Sequence, residues 1–290
     1  MTVAERLRAA TAALGPGAST ARLDVELLMA HALGVSRSDL LLRHMADPAP
    51  HAFEALMARR IAHEPVAYIV GHTEFWSLDL AVTPAVLVPR ADSETLIEAT
   101  CAAFTNREPP RRVLDCGTGS GALLLAALSE FPGAEGIGID RSEAALAVAR
   151  ENARRTGIAA RATMMARDWD EPGWARGLGR FDLVLANPPY VEDDAPLERV
   201  VRDHEPGGAL FAGPEGLDAY RVLVPQLPAL LTPEAIALVE IGARQSDAVS
   251  AIAAESGLST RLHRDLAGRP RALEMRVQGN ISLGKAASGH

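Results

Sequence analysis

Asn187-Pro188-Pro189-Tyr190 stands directly behind the apolar run Phe181-Asp182-Leu183-Val184-Leu185-Ala186. Two successive prolines lack backbone N–H donors and fix φ, so a central strand cannot run through them and the chain must leave the sheet at Asn187 in a stiff turn. The Asn187 side-chain oxygen and the Pro188 carbonyl can each accept one N–H of an –NH2 group, and Tyr190 offers a ring face to a flat substrate. That combination suits chemistry on a planar nitrogen. Asn187, Pro188 and Tyr190 are the catalytic candidates, and with Pro189 they form the candidate substrate site. Taken alone, the four letters fit an ordinary strand-to-loop exit equally well.

Val113-Leu114-Asp115-Cys116-Gly117-Thr118-Gly119-Ser120-Gly121, followed by the apolar run Ala122 to Leu128, reads as strand, glycine-rich turn and helix. Glycines at alternate positions let the backbone pass close to a ligand and present N–H groups at a helix N-terminus. The spacing is not G-x-G-x-x-G and no G-K-[ST] is present, which weighs against dinucleotides and nucleoside triphosphates. The next strand, Gly136-Ile137-Gly138-Ile139-Asp140, ends in a carboxylate about 20 residues further on, where it can chelate ribose hydroxyls. A nucleoside without phosphates fits this pattern. S-adenosylmethionine is such a ligand, with its carboxylate near the glycine loop, its ribose on Asp140 and its adenine beyond. A third strand-like run, Arg161 to Ala166, ends at Arg167-Asp168-Trp169, where Asp168 can accept from the adenine amino group. Trp169 can pack on the ring or, alternatively, fill the core.

Composition sets outer limits. A chain of 290 residues, 48% of them hydrophobic, is long enough for one large core or a large and a small one. A formal net charge of −8 argues against a protein whose main task is to grip nucleic-acid phosphate, so stable nucleic-acid binding is not expected. The only cysteines, Cys101 and Cys116, form no C-x-x-C pair, and the eight histidines show no H-E-x-x-H grouping, so neither a disulfide scaffold nor a metal is expected. The N-terminus lacks a signal-peptide apolar region, and no run approaches the roughly 20 apolar residues of a membrane span. A soluble cytoplasmic protein is the expectation.

The elements that must position these residues follow from periodicity. Residues 1–64 read as a small helical domain. Leu23, Leu27 and Ala30 share a face with Gly34 as stop, Ser36-Arg37-Ser38-Asp39 resembles a capping box, and Phe53, Leu56, Met57 and Ile61 mark a helix ended by Glu64-Pro65. Residues 65–90 read as a β-hairpin linker, one strand alternating over Glu74 to Val82 and a second at Val86-Leu87-Val88 beyond the Thr83-Pro84 break. Over 91–278 helices alternate with strands, including Ala235 to Ile241 and Ala272 to Val277, which predicts a mostly parallel sheet with an antiparallel finish. Residues 279–290 are small, polar and aperiodic and read as a flexible tail.

Taken together, these motifs resemble the PrmC/HemK family of release-factor glutamine N5-methyltransferases. The resemblance spans nearly the whole chain. It includes Pro65-Val66-Ala67-Tyr68-Ile69-Val70-Gly71, Phe75-Trp76, Val88-Pro89-Arg90-Ala91-Asp92-Ser93-Glu94, the glycine loop, Asp140, Asn187-Pro188-Pro189-Tyr190, His204-Glu205-Pro206 and Asp265 to Arg271. The family often has Thr where Ser93 stands. The resemblance implies a class I S-adenosylmethionine-dependent methyltransferase, α/β and Rossmann-like, with a mostly parallel seven-stranded sheet whose last strand is antiparallel. It implies S-adenosylmethionine held by Asp115, Gly117, Thr118, Gly119, Ser120, Gly121, Asp140, Asp168, Trp169 and Asn187. The implied substrate is the glutamine of the Gly-Gly-Gln tripeptide in bacterial peptide chain release factors. Arg90 and Glu94 are candidates for ordering a pocket-covering segment, although Glu94 serves equally as a helix start or an ion-pair partner. Three other readings stay open: methylation of a ribosomal-protein glutamine, of DNA adenine N6 with Tyr190 stacking a flipped base, or a non-catalytic cofactor-binding scaffold.

Overall fold

The computed structural model describes residues 1–15 and 20–278, so the tail expected at 279–290 lies outside the described residues. Four helices open the chain: α1 (Val3–Leu14), α2 (Ala21–Leu33), α3 (Arg37–Arg43) and α4 (Ala52–Ile61). They close around Val3, Leu7, Val25, Leu28, Met29, Leu40, Phe53 and Met57. Thr2 starts α1 with a reciprocal capping box, and Ser36 starts α3 by accepting from the Asp39 N–H at 3.0 Å. Gly34 stops α2 at φ 68°, as the sequence leads one to expect.

The buried face of α2 is only partly the expected one, since of the three residues assigned to it Ala30 alone is inside. Leu23 and Leu27 are 41% and 37% exposed, whereas Val25, Leu28 and Met29 are inside. The misreading has a physical cause, since Asp24 and Glu26 also sit on the buried side. Arg60 Nε donates to Asp24 at 2.8 Å, and Arg22 and Arg37 pair with Glu26, so charged letters interrupt the apolar stripe. Ile61, assigned to the packed face of α4, is likewise exposed.

The linker departs further from expectation. It begins with a helical turn, α5 (Val66–Val70), and its hairpin pairs β1 (His72–Phe75) with β2 (Leu78–Ala81). The run expected to be one strand therefore folds back on itself at Trp76-Ser77, both left-handed with φ 51° and 60°. A two-residue type I′ turn demands that geometry, but the Asn-Gly or Asp-Gly that signals it is missing. Val86-Leu87-Val88 forms no strand. Val86 and Val88 are buried with Tyr68, Val82 and Ala145, and the Tyr68 hydroxyl donates to the Val86 carbonyl at 2.5 Å.

A 3₁₀ turn at Ala91–Ser93 leads into α6 (Glu94–Phe104), and an α/β alternation follows. It comprises β3 (Arg112–Cys116), α7 (Ala122–Glu130), β4 (Glu135–Asp140), α8 (Glu143–Arg155), β5 (Ala162–Ala166), β6 (Phe181–Ala186), the short helices α9 (Arg199–Arg202), α10 (Asp218–Leu223) and α11 (Leu227–Leu230), then β7 (Leu231–Glu240), α12 (Ser246–Glu255), β8 (Leu258–Arg264) and β9 (Pro270–Val277). The seven strands run in the order β5-β4-β3-β6-β7-β9-β8, parallel from β5 through β7, with β9 antiparallel to both its neighbours. β8 was not placed from sequence, because this half-exposed edge strand carries only two apolar residues, Leu258 and Leu262.

Alternation along the strands supplies two cores. Val113 packs under α6 and α7 with Leu96, Leu124, Leu183 and Leu238, whereas its neighbour Leu114 faces Val184, Val224, Leu227, Val249 and Leu273 on the other side. The order reverses between β3 and β6, and ligands of open α/β sheets collect at the strands' carboxyl ends at such a switch point. No helix among the described residues is long and apolar enough to cross a membrane.

Candidate active site

A cavity of about 730 Å³ opens at the carboxyl ends of β3, β4, β5 and β6. Asp115, Gly117, Thr118, Gly119 and Ser120 line it from the glycine loop, Asp140 from the end of β4, and Asp168 and Trp169 from beyond β5. Asn187, Pro189, Ser93 and Arg90 also face it, whereas Gly121, Pro188, Tyr190 and Glu94 are not among the lining residues.

Gly117, Gly119 and Gly121 have φ of 74°, 54° and 84°, a backbone path that other residues resist. Their N–H groups are not the ones left for a ligand. Gly117 and Thr118 donate to the Ile139 carbonyl at 2.9 and 2.8 Å, Gly119 to Asp140 Oδ2 at 3.0 Å, and Gly121 to the Thr118 carbonyl at 2.7 Å. The backbone N–H groups of Ser120, Ala122 and Leu123 donate to no group among the described residues, and all three residues line the cavity. They form the N-terminus of α7, where the helix dipole favours a carboxylate.

Asp115 is fully enclosed beneath this loop. It accepts from the Thr118 hydroxyl at 2.6 Å, and burial pushes its pKa up to about 7. Asp140 accepts from the Gly119 and Ser142 N–H groups, one on each oxygen, at 3.0 and 2.8 Å. Each oxygen keeps further lone-pair capacity toward the cavity. The indole of Trp169 lies so close to Gly117 that a Cβ there would stand 3.0 Å from the ring. Trp169 lines the cavity and packs against the core with Leu114 and Val184, so the two roles considered from sequence are compatible. Asp168 Oδ1 accepts from the Asp170 N–H at 3.0 Å, which holds the turn that presents it.

At the end of β6, beside the start of the glycine loop, Asn187 Nδ2 donates to Ser93 Oγ at 3.4 Å, while its Oδ1 accepts from no described residue. Nor does the Pro188 carbonyl accept a backbone hydrogen bond among the described residues. The Tyr190 hydroxyl donates to Glu240 Oε1 at 3.2 Å, and its carbonyl accepts from Gln245 Nε2 at 3.0 Å. The ring expected to face the substrate is thus drawn back toward β7. Burial and the Glu240 carboxylate push the Tyr190 hydroxyl pKa up, which keeps it a donor.

Arg90 pairs with Glu205, whose side chain is 1% exposed and whose Oε2 finds no partner among the described residues. Glu94 opens α6 and accepts from the Trp76 N–H at 2.8 Å, clamping the hairpin turn. Sequence reasoning missed Ser93, Gln245 and Glu240. A carboxylate ending an apolar strand drew attention to Asp140, and the same signal is present in Val239-Glu240.

A family model described as PrmC N-terminal domain matches residues 5–71, and one described as Methyltransferase domain matches residues 108–230. The chain is 42% identical over 263 residues to a release factor glutamine methyltransferase of Rhodospirillum rubrum, covering 89% of this chain and 79% of that protein. It is 42% identical over 285 residues to one from Cereibacter sphaeroides, covering 96% and 99%. A Thermus thermophilus 16S rRNA methyltransferase, solved with AdoMet and guanosine, shares the fold at a TM-score of 0.50 and 18% identity, covering 71% of this chain and 49% of that one.

Proposed function

The chain belongs to the release factor glutamine methyltransferase family, and from that premise we propose that it methylates the side-chain amide nitrogen of the glutamine in the Gly-Gly-Gln tripeptide of a peptide chain release factor, with S-adenosylmethionine as donor. The observation that carries the geometry is Asn187 Oδ1, unpaired among the described residues, in a cavity also lined by N–H groups with no acceptor among the described residues and by a strand-end carboxylate. Those groups fit the cofactor. The N–H groups of Ser120, Ala122 and Leu123 suit its carboxylate, Asp140 its ribose hydroxyls, Asp168 its adenine amino group, and Trp169 the ring.

Bound there, S-adenosylmethionine supplies a sulfonium methyl, and the reaction exchanges an S–CH3 bond for an N–CH3 bond, the bonding pair staying on sulfur and one amide proton leaving to water. An amide nitrogen is a poor nucleophile because its lone pair is delocalised into the carbonyl. The chain must therefore supply orientation and field rather than a strong base. Asn187 Oδ1 accepts one amide hydrogen and the carbonyl of Pro188, which stands between the lining residues Asn187 and Pro189, accepts the other; together they raise electron density on nitrogen and fix its direction. Such alignment contributes about 7–11 kcal/mol in the best cases. The same carbonyl dipoles face the positive charge that develops on nitrogen during transfer. Pro188-Pro189 keeps this turn stiff, and Tyr190, tied to Glu240 and Gln245, holds it from behind. Residues 1–64, ahead of the linker at 65–90 and the catalytic region 91–278, form the part that reads the body of the release factor.

Labelled S-adenosylmethionine incubated with intact release factor, with its Gln→Ala variant in the tripeptide, with a ribosomal protein and with duplex DNA tests the reading. Label on the one glutamine, absent from the variant, is expected. Label on the ribosomal protein or on adenine instead would overturn the substrate assignment. Asn187→Ala should lower turnover by about 10²–10³-fold with cofactor affinity largely kept, and unchanged turnover would remove Asn187 from the mechanism.

A further inference from the structure

Beside Asn187 runs a chain of buried polar groups from Ser93 through Glu240 to Tyr190. Ser93, 4% exposed, donates its hydroxyl to Glu240 Oε2 at 2.5 Å. Glu240, 1% exposed, sits at the carboxyl end of β7 and accepts on its other oxygen from the Tyr190 hydroxyl at 3.2 Å. One carboxylate therefore reaches both ends of Asn187-Pro188-Pro189-Tyr190, directly at Tyr190 and through Ser93 at Asn187. We propose that Ser93 and Glu240 are positioning residues that fix which way round the Asn187 amide stands, and so present its oxygen rather than its nitrogen to the substrate amide. This inference rests on the proposed methyl transfer to glutamine.

The argument is one of donors and acceptors. An Asn side chain has two nearly isosteric faces, and only the hydrogen-bond network decides between them. A carboxylate only accepts, so the single hydroxyl proton of Ser93 is committed to Glu240 and its lone pairs are left toward Asn187. Those lone pairs select Nδ2, which donates at 3.4 Å, and Oδ1 is turned away from them without a partner among the described residues. Reversing the amide would place oxygen against oxygen at Ser93 and offer an N–H donor to a substrate that also brings N–H donors. The carboxylate is surrounded by Ser93, Tyr190 and Arg271, with Asp92 near and the Tyr220 hydroxyl on its own backbone carbonyl at 2.9 Å. Burial raises the pKa of Glu240, while Ser93, Arg271 and Tyr190 favour its charged form.

The test uses the full chain, intact release factor and S-adenosylmethionine, with kcat, KM and cofactor affinity measured separately. Ser93→Ala should lower kcat by about 10²-fold, the scale of a misaligned reacting group, with cofactor affinity unchanged. Ser93→Thr, which keeps the hydroxyl, should restore most of the rate. Because Ser93 acts only through Asn187, adding Ser93→Ala to Asn187→Ala should cost less than about 3-fold, a non-additivity that separates positioning from general destabilisation. Glu240→Gln replaces one of the two accepting oxygens by an NH2 donor, so Ser93 and Tyr190 can no longer both be satisfied, and kcat should fall toward that of Ser93→Ala. Full kcat in Ser93→Ala, or equal losses from Ser93→Ala in the presence and absence of Asn187, would overturn the inference while leaving the methyltransferase reading intact. A wild-type chain that puts no label on the release-factor glutamine would instead overturn that reading, and this inference with it.

Discussion

A Cβ added at Gly216 would overlap the Tyr190 carbonyl and stand 2.9 Å from Gln245 Nε2, and the φ of +66° there is a strain for any side chain. Gln245 Nε2 bridges the Tyr190 and Gly216 carbonyls at 3.0 and 3.1 Å, so this one glycine lets the loop at 216 close over the turn at 190. Gly216→Ala should destabilise the protein by about 1–3 kcal/mol and lower turnover with intact release factor. Denaturant titration and initial rates check both, and a fully stable, fully active variant would show that the turn does not need this support. At this scale the sequence was informative where chemistry resides in adjacent letters. Asn187, Asp140 and the glycine loop stand at strand ends that a reader can locate. Ser93 and Glu240 were not legible as a pair, because they are 147 residues apart in the chain and meet only through the order of the strands. The withdrawal of Tyr190 from the cavity was hidden for the same reason, since Glu240 is what holds it.

At the scale of elements, apolar periodicity located the strands buried on both faces and failed at the margins. The turn at Trp76-Ser77 was invisible because two ordinary residues adopt left-handed φ under tertiary restraint, the Trp76 N–H on Glu94 at 2.8 Å and its indole N–H on Glu130 at 2.7 Å. That restraint implies strain. Ser77→Gly should raise stability by about 0.5–1 kcal/mol, the relief of a left-handed side chain less the extra freedom glycine gives the unfolded chain, and an unchanged denaturation midpoint would show the turn to be relaxed. The edge pair β8 and β9 carries a second prediction. His263 Nε2 at 3.0 Å and Arg276 Nε at 2.7 Å hold Glu274 to a pKa of about 2, against an ordinary 4.5. A carboxyl lowered in the folded state contributes stability above its unfolded pKa and loses it as pH falls toward the folded one. Between pH 5 and pH 3 the loss from this group should be about 2 kcal/mol. Glu274→Gln should flatten the pH dependence of unfolding in that window, and an equally steep profile in the variant would assign the acid loss elsewhere.

Over the whole molecule, the helical cluster around Leu28 and Phe53 and the two cores flanking the sheet are separate, joined by the patch of Tyr68, Val82, Val86, Val88 and Ala145. The joint continues to the cavity. His204 Nε2 lies 3.2 Å from the Ala62 carbonyl at the end of the helical region, the next residue, Glu205, holds Arg90, and Pro206, Gly208 and Phe211 form part of the cavity wall. A tripeptide in that cavity offers far less than the roughly 1,600 Å² of a standard protein interface, so discrimination among proteins with exposed glutamines needs a second surface. We propose that the helices supply it, since this position relative to the cavity would let residues 1–64 grip the substrate's body while its glutamine is methylated. Removing residues 1–64 should leave S-adenosylmethionine binding in place, and a short glutamine peptide should be methylated at a similar rate with or without them. Activity on intact release factor should fall by at least about 10-fold through KM, the equivalent of 1.4 kcal/mol of lost binding. Calorimetric cofactor binding is the control for folding of the remaining chain. If the shortened protein binds cofactor and methylates intact release factor as well as the full chain does, recognition lies in the catalytic region alone and the helices serve only to cover the linker.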